Sequence, residues 1–216
     1  MSSRFRAALY LASALFSCAS LRADFITIAQ PDPAYVSGTT LVDFTEDDFS
    51  LVGSLSAGGQ TLSYDNWLDV RTVPNGGWGM WGAPPATETA TPRVGTTDGF
   101  SELTITLSRP ASIFGFELEP NFFLAEETTA DFYSGSTLVG TIDLFPDGNG
   151  GALLFAASTT TDPFTSIVIN NLDGDDFAIA RQRFALASVA TPEPATYGLL
   201  GISLAALLVL RRRRAA

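Results

Sequence analysis

From about residue 100 onward the chain alternates between apolar and polar residues. Leu103, Ile105 and Leu107 interleave with Glu102, Thr104 and Thr106. Phe114, Phe116 and Leu118 interleave with Gly115, Glu117 and Glu119. Leu138, Ile142 and Leu144 share one parity, and Ile167 and Ile169 follow between Ser166 and Asn170. A period of two is the signature of half-buried strands. The last run changes parity, with Phe177 and Ile179 on one and Phe184 and Leu186 on the other. A bulge near Arg181–Arg183 reconciles them. Earlier strands are expected near Phe25–Ile28, Leu41–Phe44, Phe49–Ser56 and Leu68–Val73. Turn residues at Ser134-Gly135-Ser136, Asp147–Gly151 and Asp173-Gly174-Asp175 punctuate the runs. No helical period of useful length and no internal repeat appear before the tail. The pattern predicts one all-β domain over residues 24–190, a single β-sandwich of jelly-roll-like type.

The two ends break the pattern. Arg4 and Arg6 precede an apolar run over Ala7–Ala19, and Ser20-Leu21-Arg22-Ala23 leads to Asp24. This is the layout of a secretory signal peptide over residues 1–23, with cleavage after Ala23, or after Ala19 or Ser20. At the other end, residues 191–216 stack three devices. Pro192, Glu193 and Pro194 form a stiff extended spacer, because proline fixes φ and disfavours helix in the residue before it. Ala195 to Leu210 is an apolar run of 16 residues, about 24 Å as a helix, where a comfortable membrane span takes about 20 residues. Arg211, Arg212, Arg213 and Arg214 then form a cytoplasmic stop. A transmembrane helix over about 195–210 therefore follows the sandwich. Basic residues at both ends place the segment between them outside the cytoplasm, after export through the Sec translocon.

Motif, order, spacing and terminal position of the tail resemble the PEP-CTERM sorting signal of Gram-negative bacteria. That resemblance implies recognition of Pro192–Pro194 by the membrane enzyme exosortase. It also implies passage from the inner membrane, as a precursor, to the envelope surface or extracellular matrix. The stretch Ala111–Leu186 is similar, more loosely, to the body of many PEP-CTERM proteins. The likeness rests on Phe114–Pro120, Asp131–Thr141 and Phe177–Leu186, and it brings no activity with it.

Composition narrows the chemistry. The chain has no histidine and no lysine, and its one cysteine, Cys18, lies in the signal peptide. Ser-His-Asp and Cys-His catalysis therefore lack parts, as do His- or Cys-based metal sites and disulfides. Residues 24–190 hold five arginines against 22 acids, a net charge of −17. A field of that sign repels nucleic acid and anionic lipid.

Three groups could carry function. Glu117 and Glu119 share a strand face, and paired carboxylates are the machinery of glycan hydrolases; the competing reading is a solvated outer face. Asp173, Asp175 and Asp176, with Asn170 and Asn171, form an acidic turn that could offer oxygens to calcium, as could Asp147 and Asn149. Neither turn has EF-hand spacing, and Asp and Asn are good turn residues anyway. Trp78 and Trp81 lie in a long loop, Pro74–Gly99, where exposed rings would stack on sugars and covered rings would close an end of the sandwich. The leading expectation is a non-enzymatic exported protein with a structural, adhesive or exopolysaccharide-associated role and no cofactor. The alternatives are a carboxylate-based glycan hydrolase, or a calcium- or sugar-binding module.

Overall fold

The computed structural model describes residues 24–188. The signal peptide, Pro192–Pro194, the apolar run and Arg211–Arg214 all lie outside the described residues. Among the described residues no helix is long and apolar enough to cross a membrane.

The described chain is nearly all strand: β1 (Ile26–Ile28), β2 (Thr40–Val42), β3 (Leu51–Ala57), β4 (Gln60–Thr72), β5 (Arg93–Thr96), β6 (Glu102–Pro120), β7 (Thr128–Ser134), β8 (Thr137–Leu144), β9 (Leu153–Ser158), β10 (Phe164–Asn171) and β11 (Phe177–Leu186). One short helix, α1 (Pro33–Gly38), interrupts them. Asp32 caps it, its Oδ1 accepting the Tyr35 N–H at 2.7 Å, and Pro33 starts it.

The 19-residue strand β6 organises the fold. Its first half, Glu102–Leu107, pairs with β10 and with Leu62–Tyr64 of β4. Its second half, Ile113–Pro120, pairs with β9 and β11. Strand β4 divides its partners in the same way. Its start pairs with β6 and its end, Asp69–Thr72, pairs with β5. Strands that change partners midway carry the chain from one layer of a sandwich to the other. The outer strands extend both layers. Strand β7 joins β10 to β8, β3 lies along β4, β2 flanks β11 and β1 flanks β9. Every pairing is antiparallel. The all-β sandwich expected from the alternation is the observed fold.

Between the layers, Leu103, Ile105, Phe114, Phe116, Leu118, Phe132, Phe155, Phe164, Ile167, Phe177 and Ile179 form one apolar core. The Phe116 and Phe155 rings stack at 5.6 Å. The parity change in β11 is a bulge: register shifts between Ala180 and Arg183, and Arg181 takes φ +51°. Three elements depart from expectation. The loop expected to run to Gly99 ends earlier, because Arg93–Thr96 forms β5. Strand β9 was not anticipated, since Leu153–Ala157 is apolar without alternation. Strand β4 begins at Gln60, eight residues before the expected Leu68.

Candidate functional site

Residues 114–120 of β6 are buried without a break. The even-numbered side chains Phe114, Phe116 and Leu118 fill the core. The odd-numbered face is also covered, from outside the sandwich. Over Gly115 lies Tyr35 of α1, so close that a Cβ there would meet its hydroxyl at 2.6 Å and Ala156 at 2.3 Å. Over Glu117 and Glu119 lies the loop between β4 and β5. Its Trp78 and Trp81 join Val73, Val94, Ala152, Ala178 and Ala180 in a second apolar cluster.

This corrects the expectation of a solvated outer face. Glu117 and Glu119 are 0% and 1% exposed. Trp81 donates its indole N–H to Glu117 Oε2 at 2.7 Å, and the Glu88 backbone N–H donates to Glu117 Oε1 at 2.6 Å. Trp78 donates to Glu119 Oε2 at 2.6 Å, while Glu119 Oε1 is buried with no partner among the described residues. Burial pushes both carboxyls up to about 7, against the pull of the indole hydrogen bonds. Glu88 raises Glu117 further and Arg181 lowers it; Asp147 raises Glu119 further.

The far end of the loop is fixed by charge. The bulge at Arg181 turns two arginines of β11 toward Glu88. Arg183 reaches it through Nε at 2.6 Å and Nη2 at 2.8 Å, and Arg181 through Nη2 at 2.9 Å. Arg181 also holds Asp43 at 2.7 Å. Desolvation would lower the Arg181 pKa, but Asp43 and Glu88 outweigh it and the pKa is raised. Two glutamates near pKa 7 have the proton affinity of a general acid. Glu117 is closed off, its two oxygens facing an indole and a backbone amide under the loop, while Glu119 gives one oxygen to an indole and keeps the other unpaired. What the arrangement does is pin a loop to a sheet.

Trp78 and Trp81, expected as ligand-stacking rings if exposed, are 7% and 1% exposed. The exposed indole is Trp67 of β4, 65% accessible. It was absent from the sequence-level candidates. It shares the parity of Ser63 and Asp65, the outward side of that strand, and this was the available signal. The ring rests on Gly53 of β3: a Cβ at that glycine would lie 3.1 Å from the ring. Beside it runs a groove of about 630 Å³, lined by Glu46, Ser54, Ser63, Asp65 and Asn66 together with Leu51.

The acidic turn does not gather. Asp173 Oδ2 accepts the Glu127 N–H at 2.9 Å, and Asp176 Oδ1 accepts the Asn121 amide at 3.1 Å. The Asn171 amide donates to Glu126 and to the Asp175 carbonyl. Asp147 Oδ1 accepts the Asn149 N–H at 2.8 Å. These groups tie the connections at one end of the sandwich together. Among the described residues no group of three or more Asp, Glu, His or Cys is placed to hold a metal ion.

Residues 190–214 match the model of the PEP-CTERM protein-sorting motif. The match covers this sorting tail and not the sandwich. No curated protein matches the chain. Among solved structures it is similar to the family 11 carbohydrate-binding module of a cellulosomal cellulase of Clostridium thermocellum (12% identity, 69% of this chain, 95% of that one, TM-score 0.34). It is also similar to a variant of a family 29 carbohydrate-binding module (11%, 79% and 98%, 0.29). A third is the enzymatically active domain of tailspike protein 4 of bacteriophage CBA120 (12%, 74% and 21%, 0.28).

Proposed function

We propose that this chain is an exported, non-enzymatic surface protein whose sandwich binds extracellular polysaccharide through the Trp67 groove. Exosortase takes the precursor from the inner membrane by Pro192, Glu193 and Pro194, while Arg211–Arg214 hold the tail's end in the cytoplasm. Residues 1–23 direct entry into the Sec translocon.

The observation that carries the binding role is Trp67, laid flat on Gly53 with its other face open above a polar groove. Sugars present C–H-rich faces and hydroxyl edges. An indole takes the first by dispersion and by shedding water. Glu46, Asp65, Asn66, Ser54 and Ser63 offer partners to the second. The platform lies on two paired strands, β3 and β4, so its geometry is set before the ligand arrives. Against the hydrolase alternative, Glu117 is sealed under the tryptophan loop with both oxygens hydrogen-bonded, so the pair is not open to one sugar bond.

The test is a glycan array with neutral polysaccharides, comparing the parent chain with Trp67→Ala. Binding that disappears in the variant supports the reading. Glycan binding that survives Trp67→Ala, or no glycan bound by the parent, overturns it.

A further inference from the structure

A second, smaller cavity lies where the tryptophan loop meets the connections after β6 and β8. It measures about 50 Å³ and is lined by Trp78, Met80, Glu119, Pro120, Asn121 and Phe123, with glycines between them. Glu119 contributes an oxygen that is buried and has no partner among the described residues. A carboxylate oxygen left so is expensive, which marks the place for a missing donor.

The lining selects the donor. Calcium and magnesium want six or more oxygens. The residues around this cavity bring one carboxylate and one amide, and otherwise an indole, a phenyl, a thioether and a proline ring. Those groups suit an organic cation: aromatic faces attract ammonium, and the thioether packs against methylenes. One water needs about 10–15 Å³ of such space, so the cavity has room for a group the size of –NH₃⁺ with a methylene behind it. The sequence contains no lysine, so the occupant comes from another molecule. The surplus of acids in the domain draws cations toward it.

We propose that this cavity takes the terminal ammonium of a lysine side chain on a partner protein. The ammonium donates to Glu119 Oε1, and its last methylene lies among Trp78, Met80 and Phe123. The contact is one anchor of a larger interface, so an isolated amine binds weakly.

Tryptophan fluorescence of the full-length chain in detergent micelles, at pH 8 and matched ionic strength, tests this. The probes are n-butylamine, Nα-acetyl-lysine amide, its Nε-acetylated form, glucosamine and calcium chloride. Saturable responses are expected from the first two and not from the other three. Glu119→Gln should weaken the amine response at least tenfold. Phe123→Ala, at an exposed ring that the fold does not need, should weaken it several-fold with the melting temperature unchanged. The proposal fails if the amines give no saturable response, or if Glu119→Gln or the acetylated probe responds equally. It fails also if calcium gives the Glu119-dependent response in place of the amines, which makes this a metal site, or if glucosamine matches butylamine, which makes the occupant a glycan.

Discussion

Trp81 donates an indole N–H hydrogen bond to Glu117 across 36 residues of sequence, at 2.7 Å, with both side chains buried. The bond joins a loop to the back of a core strand, and the acid has one acceptor oxygen for it and one for the Glu88 amide. Trp81→Phe keeps most of the packing and removes the donor. It should destabilise the fold by about 1–3 kcal/mol, the penalty for an unpaired buried acceptor, measured by urea denaturation.

Stability should fall as pH rises. Glu117 and Glu119 have folded-state pKa values of about 7 against 4.5 for the free side chain, because burial disfavours the anion. The fold therefore prefers the protonated forms. Their contribution is complete below about pH 4.5 and is lost as pH climbs through 7. Each pKa unit is about 1.4 kcal/mol, so the urea midpoint should be lower at pH 8 than at pH 5. The double variant Glu117→Gln/Glu119→Gln should flatten that dependence. A midpoint that rises steadily from pH 5 to 8 in the parent contradicts this assignment.

The Glu88–Arg183 pair is nearly sealed, with side chains 5% and 8% exposed. Arg183→Ala removes two charge-assisted bonds but leaves Glu88 paired with Arg181, so it should cost about 1.5–3 kcal/mol. Replacing both, as Glu88→Gln/Arg183→Met, should recover part of that loss. Hydrogen exchange should show the residues around Glu88 opening first in the single variant.

Trp67→Ala touches no core contact and should change stability by less than about 0.5 kcal/mol, while glycan affinity disappears. Gly53→Val is a finer probe. The ring already sits 3.1 Å from where a Cβ would be, so the branched side chain displaces it. Affinity should drop with Trp67 still present, as isothermal titration would show.

Pro192→Ala/Pro194→Ala should leave the precursor uncut in the inner membrane, as intact-mass measurement of fractionated cells would show. A mature protein of unchanged mass would remove the exosortase premise.

What the residues of this chain reveal and conceal follows from what alternation reports. Alternation at Leu103–Leu107, Phe114–Leu118 and Ile167–Ile169 tells which side chains share a face, and the sandwich follows from it. The bulge at Arg181 was legible for the same reason, as a break of parity. Alternation does not tell what covers the other face. Glu117 and Glu119 read as solvated because their cover arrives from residues 78–88, 29 to 41 residues away in sequence. Strand β9 is apolar on both faces, between the core and Tyr35, and so carries no period of two. Strand β5 is four residues long, and Val94 is its one large apolar residue.

The pinned loop has a consequence for where such a molecule is able to work. Surface proteins commonly lock long excursions with sulfur crosslinks, which dissolve when sulfide or secreted thiols accumulate. Here the clasp is made of indole protons, carboxylates and guanidinium forks, none of which is altered by an electron donor. A change from oxidising to reducing surroundings finds no bond in this clasp to break.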